Sequence, residues 1–116
     1  MPEASLSCYT RRDPTELVLA FEGTLDLATA PRATQALQEF IEQHGPDVVL
    51  DTARLDFIDS KGVGALLTGA KAALQAGGKI YLLNPATPVR KILEMCGLLS
   101  LFPAASERPR PACAAE

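Results

Sequence analysis

One stretch of the chain decides its fold: Phe57-Ile58-Asp59-Ser60-Lys61-Gly62-Val63-Gly64-Ala65-Leu66-Leu67. An apolar pair is followed by an acid and a hydroxyl, then by two glycines, and an apolar face with helical spacing begins there. Ser60 therefore stands where a strand or loop gives way to a helix N-terminus. The unpaired backbone N–H groups and the positive dipole end at such a point favour negative charge.

A serine in this position has three interpretations. It could cap the helix, carry a phosphate, or act as a nucleophile. The local pattern alone favours the cap, because Ser and Asp are ordinary cap residues. The rest of the chain has to separate the other two.

Strand patterns occur on both sides of this stretch. The predicted strands are Leu6–Tyr9, Leu17–Phe21, Val48–Leu50 and Ile80–Leu83. The charged segment Arg11–Thr15 is predicted to be a turn that joins the first two strands as an antiparallel pair at the sheet's edge. The run Leu98–Phe102 could form a last short strand.

Three helices are predicted between and after these strands. Thr29 is expected to cap the first, which carries Pro31 in its first turn, and Thr87 is expected to cap the third, which begins with Pro88. The inner faces are predicted to consist of Ala33, Leu37, Phe40 and Ile41 in the first helix, Val63, Leu66, Leu67, Ala70 and Leu74 in the second, and Val89, Ile92, Leu93 and Cys96 in the third.

This alternation predicts an α/β fold, with a mixed, mainly parallel sheet of four to five strands and packed helices. We expect one domain over residues 1–102. The segment 103–116 is dominated by Pro, Ala, Ser and charges, so it is predicted to be a flexible tail.

Composition excludes several classes of function. The chain has 116 residues, 47% of them hydrophobic, and a net charge of −3, with no run of Lys or Arg that would mark a nucleic-acid-binding protein. Its apolar stretches are shorter than the roughly 18–20 residues that a membrane span needs. Met1–Ala4 does not begin a signal peptide, so we expect a cytoplasmic protein.

The residues that usually carry catalysis or bind metals are sparse. The three cysteines form no C-x-x-C pair, and His44 is the only histidine. Ser60 lacks the G-x-S-x-G context of a hydrolase nucleophile, and the glycines match neither a dinucleotide fingerprint nor a phosphate-binding P-loop. We therefore expect no enzyme activity, no cofactor and no metal.

Residues Leu17–Leu101 resemble a STAS domain, the fold of bacterial anti-sigma factor antagonists. Gly23-Thr24-Leu25-Asp26 is similar to the family's G-x-L-D, and Leu50-Asp51 with Phe57–Gly64 is similar to its strand-loop and D-S-x-G signature. Gly77-Gly78-Lys79 and Val89–Leu98 resemble the segments that follow. The order and spacing of these matches over most of the chain make the resemblance specific.

The resemblance implies a protein switched by phosphorylation. In the family, the serine that matches Ser60 is phosphorylated by the anti-sigma factor, itself a serine kinase, and a PP2C-type phosphatase reverses this. Only the unphosphorylated antagonist binds the kinase and so releases the sigma factor. The resemblance implies a partner-binding set of Asp26, Asp59, Ser60, Lys61, Gly62 and Val63. Structural roles remain open: Asp59 could mainly cap the helix, and Asp26 could mainly hold a turn.

Two departures from the family pattern bear on this reading. Lys61 stands where many relatives have Ser or Thr, so a cation adjoins the expected phosphate. The family usually has a further C-terminal helix, whereas here Ala104–Pro111 follows, which would favour association as a homodimer. The alternatives are a STAS subunit of an ABC-type lipid transporter and, more remotely, a stressosome-like scaffold. The serine after Asp59 favours the antagonist.

Overall fold

Four strands form one mixed sheet in the order β1-β2-β3-β4. The computed structural model describes residues 5–13 and 16–108. β1 pairs antiparallel with β2, whereas β2, β3 and β4 run parallel. The strand bounds are β1 (Leu6–Asp13), β2 (Glu16–Leu25), β3 (Val48–Ile58) and β4 (Ile80–Leu83). The predicted α/β class, the mainly parallel sheet and the antiparallel edge pair are confirmed.

Three helices follow the three parallel strands. They are α1 (Ala30–His44), α2 (Ser60–Gln75) and α3 (Thr87–Met95). Because β2, β3 and β4 point the same way, all three helices begin at the carboxyl edge of the sheet. In open α/β sheets this edge is where functional residues usually gather. No helix in the described residues combines the length and hydropathy needed to cross a bilayer.

The core lies between the helices and one face of the sheet. Its strand residues alternate along the chain, as expected when successive side chains point to opposite faces. Fully buried members include Phe21, Leu50 and Ile80 from the strands, with Leu37 and Leu66 from the helices. This packing fixes the positions from which α1 and α2 begin.

The opposite face of the sheet also has buried residues, and these are separate from the main core. Val18, Ala20, Val49 and Tyr81 are at most 6% exposed, yet they do not belong to the main core. Two arginines form ion pairs across this face: Arg11 with Asp51 at 2.7 Å, and Arg108 with Glu16. Hydrogen bonds to Asp13 and Asp51 raise the pKa of Arg11, so its charge is permanent.

The segment predicted as the first turn is part of a strand. Arg11, Arg12 and Asp13 belong to β1 and pair with Val18, Leu17 and Glu16 of β2. The strand ends in three charged residues, Arg11, Arg12 and Asp13, which a hydropathy pattern cannot distinguish from a turn. The rest of the predicted turn, residues 14–15, lies outside the described residues.

The apolar run Leu98–Phe102 is not a strand. Leu99–Leu101 forms a 3-10 helix, and Phe102 is buried in the core. The sheet is extended instead by a single parallel bridge between Ala104 and Leu82. The predicted flexible tail begins at residue 103, but its described part carries a second 3-10 helix, Ala105–Glu107, beside β4. Residues 109–116 lie outside the described residues, so flexibility stays a prediction for them.

Two residues predicted on inner helix faces are exposed. Leu74 is 64% exposed because the buried face of α2 follows Gly62, Leu66, Gly69 and Ala73, which places residue 74 one position past the stripe. Cys96 is exposed at the C-terminal end of α3. Small residues, which a hydropathy pattern counts weakly, form most of the α2 face.

The predicted caps of α1 and α3 are also corrected. Thr29 does occupy the N-cap position of α1, but its hydroxyl makes no capping hydrogen bond. It donates to the carbonyl of Thr24 at 2.8 Å and accepts from the N–H of Asp26 at 2.9 Å. In α3 the cap position is Ala86, and Thr87 is the first helical residue.

Candidate functional site

Two neighbouring strands end together at the carboxyl edge of the sheet. Leu25, the last residue of β2, pairs with Ile58, the last residue of β3. The backbone N–H of Asp59 donates to the carbonyl of Leu25 at 3.2 Å, which joins the two strand ends beyond the ladder. Asp26 and Asp59, the residues that follow these ends, are thereby brought to adjacent positions.

Asp59 caps α2. Its carboxylate Oδ1 accepts hydrogen bonds from the backbone N–H groups of Lys61 at 2.9 Å and Gly62 at 3.0 Å. Two of the helix's unpaired donors are thus satisfied, and the negative charge lies at the positive end of the dipole. The predicted capping role of Asp59 is confirmed. A cap of this kind typically stabilises a protein by about 1 kcal/mol.

Ser60 is the first residue of α2 and is exposed. Because Asp59 provides the cap, the Ser60 hydroxyl is not needed for it. Within the described ranges that hydroxyl makes no side-chain hydrogen bond. A hydroxyl with no side-chain partner at a helix start, where the helix dipole favours negative charge, is well placed to accept an anionic group.

Asp26 holds the turn between β2 and α1. Its Oδ1 accepts from the backbone N–H groups of Ala28 at 3.0 Å and Thr29 at 3.2 Å. The structural role left open for Asp26 is therefore present. Its carboxylate is partly exposed and lies at the same sheet edge as Asp59, so it also contributes negative charge to that edge.

Gly62 and Val63, which also belong to the predicted partner-binding set, are buried. Val63 is 6% exposed and belongs to the core. At Gly62 a Cβ atom would lie 2.5 Å from the carbonyl oxygen of Leu25. Gly62 is thus required because the start of α2 approaches the end of β2 so closely. Both residues therefore pack inward at the start of the helix that carries Ser60.

Lys61 is exposed beside Ser60. Its backbone N–H is bound by Asp59, while the described part of the chain offers its ammonium no ion pair within 4.0 Å. The cation therefore remains free to approach a group on Ser60. In the predicted set, Ser60 and Lys61 are exposed, and Asp26 and Asp59 are partly exposed.

Two apolar side chains near this edge are exposed although neither of them was predicted to belong to the site. Leu27 is 68% exposed in the turn after β2, and Phe57 is 51% exposed near the end of β3. An apolar residue beside a turn aspartate is a weak signal. The sequence pattern does not predict that Phe57 is exposed, because β3 is irregular here and its register against β2 shifts between Gly23 and Thr24.

The arrangement around Ser60 lacks the parts of a serine hydrolase. His44 lies at the C-terminal end of α1, whose 15 residues place it about 20 Å along the helix from the edge that holds Ser60. Its ring packs on Phe40, with the centroids 4.8 Å apart. Among residues 5–13 and 16–108, no group of three or more His, Cys, Asp or Glu could hold a metal ion.

A separate cleft of about 260 Å³ lies between β1 and the second half of α1. Cys8, Tyr9, Phe40 and His44 are among its lining residues. Burial raises the pKa of the Cys8 thiol, although Arg32 opposes this, so the thiol stays protonated at neutral pH. The cleft is distinct from the Ser60 edge.

Comparisons with known proteins agree with the fold. The family model of the STAS domain matches residues 8–109. A candidate anti-sigma factor antagonist of Bordetella bronchiseptica, BtrV, is 34% identical over 98 residues, which cover 84% of each chain.

The fold also matches solved structures of an anti-sigma factor antagonist. Unphosphorylated SpoIIAA superposes with a TM-score of 0.68 at 27% identity, covering 87% of this chain and 90% of that one. The phosphorylated form of the Bacillus protein superposes with a TM-score of 0.63 at 26% identity, covering 87% and 93%.

Proposed function

The chain belongs to the STAS domain family, and from this premise we propose that it is an anti-sigma factor antagonist controlled by phosphorylation of Ser60. Unphosphorylated, it binds an anti-sigma serine kinase in the cytoplasm and so frees a sigma factor for transcription. Phosphorylated, it does not bind. The observation that carries the proposal is the exposed, unengaged Ser60 at the start of α2, beside a cap supplied entirely by Asp59.

The similarity to SpoIIAA supports a serine switch. That protein is described as an anti-sigma factor antagonist and has been solved with and without phosphate. Relatives with this name are regulatory proteins. In the proposed reaction the Ser60 oxygen attacks the γ-phosphorus of ATP, the bond to ADP breaks, and the hydroxyl proton passes to a base. The ATP and the base belong to the kinase, and a PP2C-type phosphatase hydrolyses the ester.

The fold can accept the phosphate without rearrangement. Phosphorylation adds roughly −1.5 to −2 charges at neutral pH. At the N-terminus of α2 this charge meets the favourable end of the helix dipole. The structure of the chain can therefore stay the same while its surface changes.

The phosphate that the fold accepts is unfavourable for a partner that covers Ser60. It has to bury the phosphate beside the carboxylates of Asp59 and Asp26, where like-charge juxtaposition costs several kcal/mol. That corresponds to a loss on the order of a thousandfold in affinity. Charge exclusion alone is large enough to act as a switch.

Competition for the kinase tests this function. The purified, unphosphorylated chain is added to a preformed complex of anti-sigma kinase and sigma factor from the source organism, and free sigma factor is measured by size-exclusion chromatography. We expect release of the sigma factor, and none after the chain has been phosphorylated. If the chain releases no sigma factor and instead co-purifies with a transporter ATPase, the alternative transporter function is supported and the proposal fails.

Lys61 is predicted to reduce the loss of kinase affinity that phosphorylation causes. Its ammonium offsets part of the added charge, so phosphorylated Lys61→Ser should bind the kinase about two- to fivefold more weakly than phosphorylated wild type at low salt. The difference should shrink at high salt because an exposed pair is screened. Affinity is measured by calorimetry at low and high salt.

The control for Lys61 is Lys71→Ser. Lys71 is exposed on the same helix, about 15 Å further along its axis. The Lys71→Ser substitution removes the same charge far from the phosphate position, so we expect no change in kinase affinity beyond a small long-range effect. Equal affinities of the Lys61→Ser and wild-type phosphoproteins at low salt would leave Lys61 without a part in the switch.

A further inference from the structure

Leu27 and Phe57 are two exposed apolar side chains near the sheet edge that presents Ser60. The structure describes six exposed large hydrophobic side chains, and these two are 68% and 51% exposed. Leu74 and Met95 lie near the far ends of α2 and α3. The others, Tyr9 and Leu101, are on β1 and in the first 3-10 helix.

The register of the sheet ties the apolar pair to the phosphoacceptor. Phe57 pairs with Thr24 and precedes Ser60 by three residues. Leu27 follows Leu25 by two residues, and Leu25 is joined to Asp59 by a backbone hydrogen bond of 3.2 Å. At a spacing of about 3.3 Å per residue, both side chains start within roughly 10 Å of the α2 N-terminus.

Both side chains are held by ordered backbone. The turn that carries Leu27 is fixed by the Asp26 carboxylate, which accepts from Ala28 at 3.0 Å. Phe57 belongs to the β2–β3 ladder. Large apolar side chains presented on an ordered backbone lose little conformational freedom on binding, and each can bury apolar area against a partner.

Resting on the proposed function, we infer that Leu27 and Phe57 are the apolar anchors with which the unphosphorylated protein docks on its anti-sigma kinase. The complementary surface is an apolar pocket or groove beside the kinase active site. The location of Ser60 indicates that the kinase is the partner at this surface, because a kinase that takes Ser60 into its active site has to cover the surface around it. A second copy of the chain seated there would block phosphorylation.

This assigns two separate tasks to one surface. Leu27 and Phe57 supply affinity by burying apolar area, and a phosphate on Ser60 prevents binding. The anchors should therefore affect binding of the unphosphorylated protein most strongly. The chemistry of phosphoryl transfer, once the complex is formed, should not depend on them.

The test compares Leu27→Ala and Phe57→Ala with Leu74→Ala as a matched control. Leu74 is equally exposed, at 64%, but lies about 21 Å along α2 from Ser60. The probe is the purified kinase of the source organism, selected because it phosphorylates wild type and not Ser60→Ala. Affinity of the unphosphorylated variants is measured by calorimetry, the kinetics of Ser60 phosphorylation by radiolabel transfer, and folding by circular dichroism.

We expect each anchor variant to bind at least about tenfold more weakly, and Leu74→Ala to bind like wild type. The KM for the variants should rise by a similar factor, with kcat unchanged. Affinities within twofold of wild type for folded anchor variants would overturn the inference, although wild-type phosphorylation would still support the proposed function. A change in self-association, with kinase affinity unchanged, would also overturn it and point to a second copy as the occupant.

Discussion

Replacing Ser60 by Asp is expected to weaken binding to the anti-sigma kinase by about a hundredfold or more, with the fold intact. The side chain adds one charge at an interface that already holds Asp59 and Asp26, and like charges buried together cost several kcal/mol. The same charge at the first position of α2 interacts favourably with the helix dipole, by about 0.3–1 kcal/mol. Affinity is measured by calorimetry and stability by thermal unfolding.

The matched control is Ser60→Asn, which has nearly the same shape as Ser60→Asp but no charge. Because Asp59 supplies the cap, neither substitution removes a capping hydrogen bond. We expect Ser60→Asn to bind much more tightly than Ser60→Asp. If the two folded variants bind equally, steric exclusion explains the switch and charge exclusion does not.

Adding one methyl group at Gly62 should destabilise the fold by about 1–2 kcal/mol. The new Cβ would lie 2.5 Å from the carbonyl oxygen of Leu25, which is backbone and also accepts the N–H of Asp59. Overpacking of this kind typically costs about 1–3 kcal/mol, from which a gain in helix propensity of up to about 1 kcal/mol is subtracted. Urea unfolding of Gly62→Ala measures the result.

Gly64→Ala provides a control within the same helix. Gly64 is exposed, and a Cβ there meets no heavy atom within 4 Å. That variant should be more stable than wild type by about 0.5–1 kcal/mol, because only the propensity gain applies. Two variants that are stabilised to the same extent would show that the approach of α2 to β2 is not tight, and that Gly62 does not position Ser60.

The sequence predicts those features of the site that depend only on neighbouring residues. An acid and a hydroxyl before a helical stripe predict a helix start, and Asp59 and Ser60 occupy it as expected. What the motif does not reveal is which side of that start faces inward. Gly62 and Val63 belong to the same motif but pack against Leu25 and the core, and this depends on how closely two distant segments approach.

Helix faces were predictable only where large apolar residues define them. The buried face of α1 contains Ala33, Leu37 and Phe40, as predicted. In α2 the predicted Val63 and Leu66 are buried, but Gly62, Gly69 and Ala73 fill the rest of the face, and hydropathy gives Leu74 more weight than these small residues. Close helix packing uses small residues, so the pattern fails where packing is tightest.

The C-terminal region shows a different limit. An apolar run such as Leu98–Phe102 fits a buried strand or a helical turn equally well, and its short length does not separate them. Here a 3-10 helix inserts Phe102 into the core, and Arg108 then reaches Glu16 across the second sheet face. The contact between Arg108 and Glu16 joins residues 92 positions apart, beyond any local pattern.

Mapping the phosphate by mass spectrometry, after incubation with the anti-sigma kinase and ATP, tests the central claim most directly. We predict one phosphate, located on Ser60, and none on Ser60→Ala. Thr68 is the nearest exposed competitor on α2, and Thr52 is fully buried, so both should remain unmodified. Phosphate on Thr52 or Thr68, with Ser60 unmodified, would contradict the account.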